Sequence, residues 1–322
     1  MSPRSSLRRI ADNRSFNLGA AVAAGTLRTD HHYRQLLTNS FNAITTENAL
    51  KMGPLRPKPG VYDFSDADDI VSFATSHDMH VRGHTLVWHN QQPEWFLGWE
   101  HTDEQIRSFL REHIHTVAGR YRSSIDTWDV INEAVNEDGS MRETVWYDAM
   151  GEEYLDLAFE WANEVAPDAS LFYNDYGAEA INEKSDGIYE LLSRLLDRGV
   201  PVDGVGLQMH ALHSQPDLDS VAENVRRLQK LGLEVHLTEV DVAFPAETAP
   251  ENHLEEQATF YGDLVDLCLE TGISTMVTWG VRDSDSWVPG WFPDVTDDPL
   301  LFDRGNNPKP AHTAVYDVLA GE

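Results

Sequence analysis

A short apolar or β-branched run, a polar turn, then a segment with apolar residues three and four apart: this alternation recurs along almost all of the 322 residues. It limits the folds open to the chain more than any other feature. The runs are 17–23, 41–46, 80–87, 125–131, 170–173, 205–208, 235–238 and 275–278. The helix-period segments between them include 66–77, 104–119, 152–165, 183–198, 221–231 and 253–270, and a last helix is expected over 311–319. Eight such pairs predict an α/β chain closed into a single (β/α)8 TIM barrel. An open doubly wound sheet is the alternative. No internal repeat, low-complexity tract or Pro/Ser/Gly linker divides the chain, so residues 1–322 are expected to form one barrel domain without a separate binding module.

In such barrels ligands sit at the C-terminal ends of the strands. Here those ends carry Glu47-Asn48, His84 with Trp88, Asn132-Glu133, Asn174-Asp175, Gln208 with His210, Glu239 with Asp241, and Trp279. A rim serving structure alone would be mostly Gly, Pro, Asn and Ser. Glu133 and Glu239 stand out because each directly follows an apolar run, "WDVINE" and "VHLTE". On the fourth and seventh strands they can face each other across the barrel mouth. Facing carboxylates are the minimum equipment for glycoside hydrolysis, one donating a proton and the other attacking the anomeric carbon or activating water. A single Glu after a strand is more often a rim charge or a helix cap.

The bland readings of single residues differ. His84 and His210 could each be a satisfied core histidine, and Trp88 and Trp279 could be core. Lys51 could be solvated, although the chain has only five lysines. Trp95, Trp99, Trp128, Trp146 and Trp161 are assigned mainly to packing, and Trp291 is left unassigned. Asp129 alternates with apolar positions and reads as a structural partner, and Asp175 as structural or unassigned. Cys268 lies in an apolar helical pattern and reads as a core thiol. As the lone cysteine it excludes an internal disulfide.

The formal net charge is −30, from 24 basic and 54 acidic residues. It opposes binding to nucleic acid or an anionic membrane. It also creates self-repulsion that salt screens, so an acidic, lysine-poor surface points to a saline setting, with an ordinary acidic secreted enzyme as the alternative. No run has the length of a membrane helix, and "MSPRSSLRRIADNRSF" lacks the apolar core of a signal peptide. The expected location is cytoplasmic if the chain is complete, and secreted if a leader was removed.

Eight segments carry a resemblance: "TTENALK", "RGHTLVWHNQ", "WDVINEAV", "FYNDYG", "GVGLQMH", "LTEVDV", "TWGVRDSDSW" and "LLFDRGNNPKPAH". In this order, over residues 18–320, the chain resembles family 10 glycoside hydrolases, the endo-β-1,4-xylanases. The resemblance implies a retaining hydrolase with Glu133 as acid/base and Glu239 as nucleophile. It implies that Asn132 contacts the 2-hydroxyl of the cleaved unit, and that His210 and Asp241 orient and ionise the nucleophile. Gln208, His84, Trp88 and Gln91 match residues lining the glycone side, and Glu47, Asn48 and Lys51 the next xylose outward. Trp279 and Trp287 match an aromatic cover, and Tyr176 an aglycone-side platform. Retention requires the two carboxyls to stand about 5–5.5 Å apart. The implied substrate is xylan or a xylo-oligosaccharide in preference to cellulose, and the expected state is a monomer.

The sequence departs from the family pattern at three places. Leu50 and Met52 flank Lys51 where Met and Trp are usual, His312 stands where Tyr is common, and the loop "VPGWFPDVTDDP" is long. These affect the outer glycone positions. A metal-dependent barrel hydrolase would want an H-x-H on the first strand or an HExxH, and neither occurs, so no metal or cofactor is called for. A catalytically silent sugar-binding barrel would be expected to lack one of the two Glu.

Overall fold

The computed structural model describes residues 5–321. Its strands are β1 (Asn17–Ala21), β2 (Ala43–Thr45), β3 (His80–Val87), β4 (Thr127–Asn132), β5 (Ser170–Asp175), β6 (Gly204–Leu207), β7 (Glu234–Val242) and β8 (Thr275–Thr278). Each pairs in parallel with the next. β8 pairs with β1, Asn17 beside Thr275 and Ala20 beside Thr278, so the sheet closes. The closed (β/α)8 barrel replaces the open-sheet alternative. Nearly every strand residue is buried on both faces, which is why the runs read as continuously apolar rather than alternating.

Helices cover the barrel where the periodicity places them, at Ser65–Ser76, Asp103–Arg120, Glu153–Val165, Glu183–Asp197, Leu218–Lys230, His253–Thr271 and Pro310–Ala320. The segment between the first two strands forms two helices, Ala24–Thr29 and His31–Ser40. They are too short for a strong period, and a carboxylate oxygen of Asp30 accepts from the His32 and Tyr33 amides to start the second. A further helix, Leu7–Asn13, lies ahead of the barrel. It is tied to the last one where Arg14 Nε donates to the Leu319 carbonyl at 2.8 Å.

Two differences bear on the site. β7 runs to Val242, four residues beyond the expected end, so Glu239 and Asp241 lie within the strand instead of after it. It continues because a two-residue strand, His210–Ala211, pairs with its far end, His210 beside Asp241. The register with β8 shifts between Leu237 and Val240, where a strand commonly re-aims a side chain. Gly206 on β6 leaves the barrel interior open: a Cβ there would lie 2.2 Å from the Asn174 Oδ1 of β5. Asn174 can therefore extend across the barrel.

Candidate active site

The strand ends bring the two carboxylates to one small region of the barrel mouth. Glu133 is the first residue after β4 and holds a left-handed backbone, φ 59°. For a non-glycine residue this conformation costs on the order of 1–3 kcal/mol, and it persists only where the surroundings impose it. Here they do. The Glu133 amide donates to the Asn174 carbonyl at 2.9 Å, Arg142 Nε donates to the Glu133 carbonyl at 2.9 Å, and the next amide, of Ala134, donates to the Tyr173 hydroxyl at 3.2 Å.

The Glu133 carboxyl is buried and receives three donors. Trp88 Nε1 donates to Oε2 at 2.8 Å, while Asn132 Nδ2 and Gln208 Nε2 donate to Oε1 at 3.0 and 3.1 Å. Glu239 has a different shell. Asn174 Nδ2 donates to its Oε1 at 2.8 Å, and His210 Nε2 stands 3.4 Å from its Oε2. His84 Nδ1 is 3.9 Å from Oε1 and bonds Asp129 Oδ2 at 2.9 Å. Asn174 Nδ2 also donates to Asn132 Oδ1 at 2.7 Å. The two carboxylates are thus linked through two side-chain amides, Asn132 and Asn174.

Electrostatics sets the charge of Glu239. Burial pushes the Glu239 carboxyl up, but His84, His210 and Lys51 outweigh it and hold Glu239 below the ordinary carboxylate range. Burial also disfavours charge on His210, yet Asp241 and Glu239 raise it above the usual histidine value. His210 Nδ1 faces Asp241 Oδ1 at 2.9 Å, and Trp287 Nε1 donates to Asp241 Oδ2 at 2.7 Å. A carboxylate–imidazole–carboxylate row results, with Trp287 pinned to its outer end. Beneath His84, Asp129 is also paired with Arg82, which confirms Asp129 as a structural partner.

Lys51 forms the opposite wall. It is buried, donates to Asn48 Oδ1 at 2.8 Å, and lies 4.8 Å from the Trp88 ring centroid and 5.7 Å from that of Trp279. Burial lowers its pKa, opposed by Glu239, Glu47 and Glu133. Glu47, another left-handed residue at φ 38°, is pushed up by burial and held back by Lys51. Trp279 meets His84 edge-on with centroids 5.2 Å apart. Tyr176 stands apart from these groups, with Lys184 Nζ 3.4 Å from its ring centroid and Arg142 Nη2 3.4 Å from its hydroxyl. Gln91 is exposed, and its backbone carbonyl accepts from Gly53.

Sequence reasoning missed three residues. Asn174 was visible at a strand end in "FYND" but was assigned no role. Arg142 sits on the loop after β4 and gives no signal of its own. Lys184 lies on a helix and reads as solvated, yet it is 1 % exposed and pairs with Asp175 at 3.1 Å and Glu137 at 3.0 Å. Trp128, Trp146 and Trp161 are buried as expected, and so is Cys268.

The profile of Glycosyl hydrolase family 10 matches residues 6–318. Endo-1,4-beta-xylanase B of Thermotoga neapolitana is 37% identical over 316 residues, covering 97% of this chain and 91% of that protein. The Beta-1,4-xylanase of Dictyoglomus thermophilum is 42% identical over 309 residues, covering 92% and 86%. Xylanase 10B from Thermotoga petrophila, solved with xylobiose, superposes with a TM-score of 0.95 at 39% identity, covering 100% of this chain and 99% of that one. With a family match over nearly its whole length and close relatives on the same barrel, the chain belongs to glycosyl hydrolase family 10.

Proposed function

We propose that the protein is a retaining endo-1,4-β-xylanase that cleaves internal bonds of xylan or xylo-oligosaccharides in two steps. The observation that carries this reading is the pair of buried glutamates at the barrel mouth, joined through the side-chain amides of Asn132 and Asn174. Glu239 is held ionised between His84, His210 and Lys51, while Glu133 is ringed by N–H donors. In the first step Glu239 attacks the anomeric carbon and Glu133 passes its proton to the leaving oxygen. In the second, Glu133 takes a proton from water, which attacks the same carbon and frees Glu239.

The remaining residues fit this scheme. Asn132, bonded to Glu133 and to Asn174, takes the role of reading the 2-hydroxyl in this proposal. Glu47, Asn48 and Lys51 bind the next sugar outward, Trp279 and Trp287 cover the glycone, and Tyr176 receives the aglycone. Substrate preference follows the relatives, whose names specify xylan bonds, and one solved neighbour holds xylobiose. No helix among the described residues is long and apolar enough to cross a membrane.

Single substitutions test the roles. Glu239→Ala abolishes turnover of every substrate. Glu133→Ala spares the glycosylation step on aryl xylosides with good leaving groups, because only acid assistance is lost. Equal losses on good and poor leaving groups would overturn the assignment.

A further inference from the structure

We propose that Trp291 extends the sugar cleft by one position beyond Trp287, as a stacking site for a further β-1,4-linked pentose unit. The inference rests on the xylanase reading above and deepens it.

Among the described residues five large hydrophobic side chains are exposed: Val61, Leu97, Ile181, Leu269 and Trp291. Trp291 is the most exposed, at 74 %, and the only one with an aromatic face. Isolated exposed apolar residues are ordinary, but Trp291 is not isolated. Its ring centroid lies 6.4 Å from that of Trp287, with the planes tilted by 48°. Trp287 is itself held by its bond to Asp241, which is linked through His210 to Glu239, so the outer ring adjoins a ring anchored to that row.

The base under Trp291 is fixed. It ends a helical turn, Val288–Trp291, and Val288 and Val295 pack with Leu212 and Ala243. Phe292 meets Trp287 edge-on at 5.3 Å. Two backbone bonds tie the loop to the one after β7: Ala246 donates to the Asp294 carbonyl and Thr296 to the Phe244 carbonyl, both at 2.8 Å. An indole presented to water on an anchored turn contributes little to folding, yet it offers a preorganised apolar face.

Pyranose rings have such faces and stack on indoles. In a β-1,4 chain successive rings are rotated against each other, so a cleft that follows the chain needs inclined platforms, as these two rings are. The charge of −30 gives a neutral or acidic polysaccharide no electrostatic attraction, so contacts of this kind must supply the extra grip on a long chain.

The test compares Trp291→Ala with the parent enzyme on soluble xylan and on an aryl β-xylobioside. The ratio of polymer KM to xylobioside KM is expected to rise about two- to tenfold, the worth of one aromatic contact, with kcat on xylan retained. Trp291→Tyr restores most of the ratio, and melting curves confirm that both variants fold. An unchanged ratio in Trp291→Ala, or a loss carried by kcat, overturns the inference while leaving the xylanase reading intact. A parent enzyme inactive on both substrates overturns the two together.

Discussion

Asn174→Ala removes a single buried amide that joins Glu239 to Asn132, the neighbour and partner of Glu133. Its Nδ2 donates to Glu239 Oε1 at 2.8 Å and to Asn132 Oδ1 at 2.7 Å, and its Oδ1 accepts from the Thr238 hydroxyl at 2.6 Å. A hydrogen bond to a charged group contributes about 1.5–3 kcal/mol. One pKa unit corresponds to about 1.4 kcal/mol, so full loss of the donor would raise the Glu239 pKa by about one to two units. Water entering the space left by the side chain would replace part of the bond, so about one unit is expected. The sign follows from the folded state. Glu239 is held below its ordinary value, and as the proposed nucleophile it must be ionised to attack, so losing a donor raises the pH at which activity fails on the acid side. The assay is the pH profile of kcat/KM on an aryl xylobioside, whose acid limb reports the free enzyme's proposed nucleophile, Glu239. We expect that limb to move up by about one unit and the plateau to fall about ten- to a hundredfold as Asn132 loses its hold. A limb that stays put or moves down, in a variant that melts as a folded protein, would refute the role given to Asn174.

Lys184→Met leaves the buried Asp175 carboxylate without its 3.1 Å partner. Such losses cost about 3–5 kcal/mol. Burial already pushes the Asp175 pKa up while Lys184 opposes it, so the variant's carboxyl takes a proton more readily. Urea melts are therefore expected to show a smaller loss at about pH 5 than at about pH 8. Separately, thermal stability is expected to rise between about 0.05 M and about 3 M KCl as screening tightens. A melting temperature that is unchanged or lower in high salt would remove the case for a saline setting.

What could be read from the sequence follows from which interactions are local. The barrel was legible because each strand must be apolar on both faces, and the pattern repeats often enough to fix the count. Glu133 was legible because an apolar run ends abruptly at it. Glu239 was found for the same reason, although its strand continues to Val242, since that extension depends on pairing with His210–Ala211, a segment about thirty residues away. Asn174 lay in plain sight at a strand end. Its role depends on Gly206 opposite, where any side chain would clash with it, and that neighbour is set by the barrel's closure. Lys184 was invisible because a lysine in the first turn of a helix ordinarily faces water. Only the fold shows that Asp175 and Tyr176 stand in its path.

The distribution of charge connects the site to the surface. Of five lysines, Lys51, Lys184 and Lys309 are buried, each against a polar or acidic partner, and only Lys58 and Lys230 are exposed. Most surface cations are therefore arginines, many already paired with carboxylates, as Arg28 is with Asp66 and Asp69 and Arg198 with Asp156. Exposed pairs of this kind contribute about 0–1 kcal/mol each and weaken in salt. Among the described residues seven acidic side chains are buried, and most of the others lie at the surface. Salt acts on both populations, removing a small attraction from the pairs and a repulsion from the unpaired excess. With acidic residues outnumbering basic ones 54 to 24, the repulsive sum is expected to be the larger, and this is the ground for predicting that screening stabilises the fold. The catalytic row lies outside this exchange. His84, His210 and Glu239 are buried or nearly so, and buried charges are screened far less than exposed ones. The electrostatics that holds Glu239 ionised is therefore expected to stay intact at salt concentrations that screen the surface around it.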